Sequence, residues 1–246
     1  MFEALQGLYQ ASLEPVITLG WPLSTLDFII LAFNLTCVYL VGKNNILNYP
    51  IGMVAIVAYT FMCFSFGFYS EFFLQIYFFI ASIIGWYMWR DRGLFETLQP
   101  RYIGIPSLVG VIVMWAGCAA ILGTNIDALF AGFVELIAPV LTVLNSGVPI
   151  EYVHSPAAYP YIDAFTTVGQ VIAMIMMMRK FVESWYIWLT INAVSAPMFY
   201  LKGGYGITIM FTLFFLNAML GLYRWRKLEK EHRKTEMLSP ISHLHS

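Results

Sequence analysis

The chain has 246 residues, of which 60% are hydrophobic and 11% are charged, and its formal net charge is −1. A soluble domain carries about 25% charged residues, so this composition excludes an ordinary soluble protein and predicts a polytopic membrane protein. The near-zero net charge gives no reason to expect a nucleic-acid partner. Cys37, Cys63 and Cys118 lie in apolar runs without metal-ligand spacing, so we expect no disulfide, metal or cofactor.

Seven stretches are apolar and long enough to cross a bilayer, which predicts an all-α fold of seven transmembrane helices. They span residues 22–42, 46–66, 70–89, 103–123, 160–178, 182–201 and 206–223. Segment 1–21 has no basic residue, and its apolar spacing predicts a short amphipathic helix on the membrane surface instead of a cleavable signal.

Two further stretches fall outside the predicted spans. The stretch 124–159 is apolar but contains Asp127, Glu135 and Pro139, so we expect an external loop with a helix on the membrane surface. Residues 227–246 are charged, and we expect a mobile cytoplasmic tail. With seven spans, twelve of the thirteen Lys and Arg residues face one side, and only Lys202 faces the other. The positive-inside rule therefore predicts an external N-terminus and a cytoplasmic C-terminus.

An internal repeat relates the two halves of the chain. A shift of 136 residues lays 27–90 over 163–226 without a gap, and it aligns Trp89 with Trp225. Each repeat holds three spans and one linker span separates them, so the repeats have the same orientation in the membrane. We therefore expect repeat one at 22–90, a linker helix and external loop at 91–159, and repeat two at 160–226. This three-plus-one-plus-three arrangement is typical of a transporter, with its pathway between the two bundles.

One face of the sixth span combines Trp185, Trp188 and Asn192 at helical spacing. An amide near the middle of the membrane needs a hydrogen-bond partner, and two indoles beside it suit a flat, polar or cationic ring. The alternative is that the tryptophans are interfacial anchors and the amide joins two helices. The repeat equivalents are Tyr49, Gly52 and Ile56, which suggests that this face is not part of the shared scaffold.

The third span carries a second candidate face, formed by Phe72, Gln75, Phe79 and Ser82. Gln75 lies in an apolar run, so its amide binds either a ligand or a neighbouring helix. Asp27 and Asp163 lie near the outer ends of their spans and are either a cation gate or helix caps. The repeat-equivalent Tyr69 and Tyr205 join them as gate or structural residues.

Several function classes lack the residues they need. The chain has no Walker loop, GxGxxG, HExxH or nucleophile elbow, and all four histidines fall outside the spans, so we do not expect an enzyme. No Lys, Arg or His lies at midspan, which favours passive over ion-coupled transport and leaves nothing ready to bind a phosphate. An ion-coupled carrier, a non-transporting membrane scaffold and a homo-oligomeric state stay open.

The chain resembles the bacterial PnuC nicotinamide riboside transporters over roughly 27–227. The resemblance rests on SWYIWLTIN with the following LKGGYG, and on NYPIG and GFYSEFFLQIYFFIASIIGWYMWR. It implies an inner-membrane protein with a fold related to the sugar-transporting SWEET proteins. It also implies facilitated diffusion of nicotinamide riboside, trapped inside by a separate kinase, although some relatives carry other vitamin precursors such as thiamine. By resemblance, the substrate site comprises Trp185, Trp188, Asn192, Gln75 and Phe79.

Overall fold

The computed structural model describes residues 11, 14–19, 21–65, 69–90, 99–144, 159–201, 203 and 205–242. Within them lie seven α-helices, as the sequence predicts, and one short β-hairpin that it does not predict. The elements are β1 (Pro15–Leu19), β2 (Trp21–Ser24), α1 (Thr25–Gly42), α2 (Asn48–Ser65), α3 (Tyr69–Trp89), α4 (Ile105–Leu144), α5 (Pro160–Met178), α6 (Ser184–Leu201) and α7 (Tyr205–Ser242). The amphipathic helix predicted over the first residues falls outside the described part of the chain.

Four of the described helices are long and apolar enough to cross a membrane: α1, the first part of α4, α5 and most of α7. The starts of two of these helices show why they begin where they do. Ser24 caps α1 reciprocally with Asp27, and Pro160 begins α5 at a position where a missing N–H costs nothing.

Six helices pack in a closed ring. Helix α1 contacts α2 and α7, α3 contacts α2 and α5, and α6 contacts α5 and α7. Helix α4 packs on α5, where the Trp115 indole stacks on Phe165 at 4.4 Å and donates to its carbonyl at 2.8 Å. The ring therefore has two seams between chain halves, α1 against α7 and α3 against α5.

Each seam is tied by two hydrogen bonds from a side chain to a main-chain carbonyl. Trp89 donates to Met178 at 2.9 Å, and Trp225 donates to Val41 at 2.8 Å. Further along the same helices, Tyr77 donates to Val171 at 2.9 Å and Asn217 to Leu35 at 3.0 Å. The carbonyls of Leu35 and Val171 are 136 residues apart, so this second pair of bonds uses equivalent acceptors.

The connection after α1 resembles that after α5. Asn44 and Lys180, again 136 residues apart, both have φ of 56°, a left-handed conformation uncommon for these residues. The side of the ring that holds these two turns also carries Lys43, Arg90 and Arg179. We call it the basic end.

Two helices continue past the ends of the predicted spans. Helix α4 runs without a break through Asp127, Glu135 and Pro139, where an external loop with a helix on the membrane surface was expected. Helix α7 continues to Ser242, where a mobile tail was expected. At 1.5 Å per residue, α4 is about 60 Å long, roughly twice the bilayer core. Hydropathy marks where a helix leaves the membrane, but helical hydrogen bonding continues in water, and the α7 extension adds i,i+4 ion pairs such as Lys227 with Glu231.

Candidate functional site

Trp185 lies in the core at the basic end. It is fully buried and meets the Trp225 ring edge-on at 5.5 Å, and a Cβ on Gly221 would overlap its indole. The first repeat has the same arrangement: Tyr49 is buried, meets Trp89 edge-on at 5.2 Å and lies against Gly85. Trp185 therefore has a counterpart in the first repeat, and its indole nitrogen is also buried without a hydrogen-bond partner among the described residues.

Trp188 departs from the repeat. Its side chain is half-buried and packs against both apolar clusters of the core, one around Trp185 and Trp225 and one around Trp115 and Ile191. Its indole nitrogen is buried without a hydrogen-bond partner among the described residues. The equivalent position is Gly52, where a Cβ would lie 2.8 Å from the Cys37 sulfur. Repeat one therefore has no space for an indole here, and repeat two has one with an unused donor.

Asn192 lies one turn beyond Trp188 on the same face of α6. It is 4% exposed, and no hydrogen bond joins its amide to another described residue. Ser195, three residues further, is buried on the same face. A buried amide without a partner costs free energy, which a polar ligand would recover. The equivalent position in repeat one is Ile56, so the polarity belongs to one repeat only.

A cleft of about 220 Å³ opens between α2 and α3. Two residues predicted for the site, Gln75 and Phe79, line it, together with three apolar side chains and Thr60. The three apolar residues are Ile56, Val57 and Ile76. Phe72 lies in the first turn of α3, where side chains fall outside the described part of the chain, as does that of Tyr69.

The cleft and the α6 face are separate features. None of Trp185, Trp188 and Asn192 lines the cleft, so the structure does not gather the predicted residues into one cavity. Thr60 was not among the predicted site residues; its hydroxyl donates to the Ile56 carbonyl at 2.7 Å. The available signal in the sequence was a hydroxyl side chain, Thr60, in an otherwise apolar helix, one turn after Ile56.

Asp27 and Asp163 each lie in the first turn of a helix. One Asp27 carboxylate oxygen accepts from the Ser24 backbone N–H at 2.7 Å and from its hydroxyl at 2.6 Å, which completes a capping box. Asp163 lies in the first turn of α5. Tyr205 begins α7, and its ring lies 5.5 Å from that of Tyr200. The geometry at Asp27 matches the capping alternative.

The turn between α5 and α6 carries two buried ionisable residues. The Lys180 ammonium lies 4.2 Å from the Trp89 ring centre, and burial lowers its pKa to about 8, so it is mostly charged at pH 7. Burial raises the pKa of Glu183, which accepts from the Ile103 N–H at 3.0 Å and 3.2 Å. Arg101 joins the same turn by donating to the Lys180 carbonyl at 3.0 Å. The segment before α4 is thus fixed to this turn.

Comparison with known proteins gives a consistent picture. A family model described as nicotinamide mononucleotide transporter matches residues 24–227. The nicotinamide riboside transporter PnuC of Escherichia coli (strain K12) is 27% identical over 219 residues, covering 88% of this chain and 91% of the relative. That of Neisseria mucosa is 24% identical over 240 residues, covering 94% and 83%. The crystal structure of the vitamin B3 transporter PnuC has a TM-score of 0.61 at 20% identity, covers 94% of this chain and 93% of that chain, and shows the same fold.

Proposed function

Because the chain belongs to the nicotinamide mononucleotide transporter family, we propose that it carries nicotinamide riboside across a bacterial inner membrane. The observation that carries this proposal is the similarity to riboside transporters along 88% of the chain. The family description names the mononucleotide, whereas the relatives name the riboside. The two substrates differ by a phosphate, so the charge of the site decides between them.

We propose that the riboside binds between Trp188, Asn192, Gln75 and Phe79. The nicotinamide ring of the riboside is a flat pyridinium cation, which an indole or phenyl face attracts by about 0.5–2 kcal/mol. The unused Trp188 N–H and the amides of Asn192 and Gln75 are donors for ribose hydroxyls or the carboxamide. No Lys or Arg lines the α2–α3 cleft, so a phosphate would lose its hydration without gaining a cation, and the mononucleotide is rejected.

We propose that all seven helices span the membrane as two parallel three-helix repeats joined by α4. The equivalent carbonyls used at both seams and the matched turns at Asn44 and Lys180 support this arrangement. The basic end is then cytoplasmic by the positive-inside rule, and the N-terminus is outside. In this arrangement the substrate path runs along the pseudo-twofold axis inside the ring.

Transport is proposed to be uniport, with a separate cytoplasmic kinase trapping the riboside by phosphorylation. Ion coupling usually needs an ionisable residue within the membrane. Among the described residues the candidates are Asp27, which caps α1, and Asp163 in the first turn of α5. Both begin a helix instead of facing its middle, which supports passive transport.

Counterflow in proteoliposomes tests the proposal. Labelled riboside should exchange without an ion gradient, and unlabelled riboside should compete while the mononucleotide should not. Trp188→Ala should reduce exchange, whereas Trp86→Ala, which removes an indole exposed on the outer surface of α3, should not. Uptake that needs a proton gradient and disappears in Asp163→Asn would contradict uniport and favour the ion-coupled alternative.

A further inference from the structure

The basic end of the ring is closed by a chain of four aromatic rings. Trp89 and Trp225 are repeat equivalents and contact each other, with ring centres 6.0 Å apart. Two equivalent residues related by a twofold axis can touch only where both lie near that axis. Since these indoles are 7% and 0% exposed, they fill the axis at this end.

The outer two rings hold the central pair in place. Tyr49 supports Trp89 edge-on, and Trp185 supports Trp225 in the same way. Each central indole also donates across a seam, Trp89 to Met178 and Trp225 to Val41. A substrate moving along the axis therefore has to separate the two indoles and stretch both seams at this end.

One contact in this chain of rings has no counterpart in the other half. The Lys180 ammonium rests on the Trp89 face, while its repeat equivalent is the uncharged Asn44. Lys180 is 5% exposed, and no ion pair of the described residues includes it. Its backbone is fixed by the hydrogen bond from Arg101 to its carbonyl. The ammonium therefore stabilises the closed position of Trp89 and does nothing comparable for Trp225.

We propose that Tyr49, Trp89, Trp225 and Trp185 form the gate at the basic end, and that Lys180 is the latch that sets how readily Trp89 leaves it. The proposal gives the buried lysine a role that substrate binding does not require. A gate has a function only if the chain is a transporter, so this inference rests on the proposed function. The ring contacts themselves do not depend on the identity of the substrate.

A cysteine behind the gate reports its opening directly. Ser82 is 4% exposed and lies seven residues before Trp89 on α3, about 10 Å deeper along the helix. Ser82→Cys is introduced into a chain whose three cysteines are replaced by alanine. A membrane-impermeant maleimide is added from the side of the basic end, which labelling of an exposed Arg90→Cys variant identifies separately.

The closed gate should leave the Ser82→Cys reporter slowly labelled. Lys180→Met, which keeps the length of the side chain, should raise the labelling rate about 2- to 30-fold, the factor that corresponds to one ammonium–indole contact. Lys43→Met is the matched control, because the Lys43 ammonium lies 4.7 Å from the Tyr39 ring outside the gate. This control should leave the rate unchanged.

Trp89→Ala combined with Trp225→Ala should expose the reporter fully, and elution as a single monodisperse peak shows whether that variant folds. Equal labelling in the Lys180→Met variant and its parent would overturn the latch. An unlabelled reporter in a folded chain without both indoles would overturn the gate. Because labelling needs no substrate, these outcomes are distinct from a failure of riboside counterflow.

Discussion

The two repeats agree at the basic end and diverge in the middle of the membrane. At the basic end, Tyr49 over Gly85 and Trp185 over Gly221 make the same edge-on contact with equivalent tryptophans. Three and seven residues further along the same helices, the pairs are unlike. Gly52 corresponds to Trp188, and Ile56 corresponds to Asn192.

This contrast separates scaffold from site. In a pseudo-symmetric bundle the two seams are equivalent interfaces. The residues that pack across them are therefore expected to match. An asymmetric ligand needs unlike groups where it binds. Each condition is met by a different residue of α6: Trp185 has an equivalent ring in the other repeat, and Trp188, one turn further, has none.

Removing the Trp185 ring should have the largest effect on the free energy of unfolding. Trp185→Ala empties a fully buried site and should reduce the free energy of unfolding by about 3–5 kcal/mol. Tyr49→Ala should have an effect of similar size, because its ring occupies the equivalent place. Thermal unfolding in detergent measures both. A stable Trp185→Ala protein that merely binds riboside less well would show that Trp185 belongs to the site.

Filling the space beneath that ring should have a smaller effect. Gly221→Ala places a methyl group inside the Trp185 indole, and overpacking of this kind costs about 1–3 kcal/mol. Gly117→Ala on α4 is the matched control, because nothing lies within 4 Å of the added methyl group. The control should unfold at the parent temperature or slightly above it. Equal melting temperatures of the two variants would contradict the close packing of α6 on α7.

Much of the fold was predictable from periodicity and the repeat. Helix α5 begins and ends where hydropathy places it, at residues 160 and 178, because turn residues bound the apolar run on the basic side. The ends of α4 and α7 were not predictable in this way. Charged residues stop a membrane span but not a helix, and Pro139 does not interrupt α4. The β-hairpin before α1 was missed because residues 1–21 were assigned to an amphipathic helix and the first span was expected to begin at residue 22, although Gly20 between the two strands is a turn signal.

The candidate site was predictable only in part. An indole near a helix end suits an aromatic scaffold and a ligand site equally well, so the sequence of α6 alone cannot distinguish Trp185 from Trp188. The distinguishing signal lay elsewhere, in Gly85 and Gly221, which leave space for one large ring in each repeat. Gln75 and Phe79 were correctly placed on one face of α3, but the cleft partner Thr60 depends on how α2 packs against it.

Substitutions at Trp188 and Asn192 should weaken riboside binding, and they should lower stability less than Trp185→Ala does. Trp188→Ala should weaken riboside binding about 2- to 30-fold, which corresponds to the 0.5–2 kcal/mol of a cation–aromatic contact. Asn192→Leu should lose binding and keep the fold, because the amide has no hydrogen bond to any other described residue that the substitution would break. Titration calorimetry on purified protein measures both. A misfolded Asn192→Leu protein would instead identify the amide as a link between helices.

The seam bonds provide the finest test of the symmetry at the basic end. Trp225→Phe removes the donor to the Val41 carbonyl and keeps an aromatic ring, which should cost about 1 kcal/mol of unfolding free energy. Trp89→Phe removes the equivalent bond to Met178 and also weakens the contact with the Lys180 ammonium, since phenyl attracts a cation less than indole does. Trp89→Phe should therefore be the more destabilising of the two by a few tenths of a kcal/mol. In a Lys180→Met background the difference between the two substitutions should shrink, because the ammonium contact that only Trp89 makes is gone. If the full difference between them persists there, another group causes it, and the latch role of Lys180 is wrong.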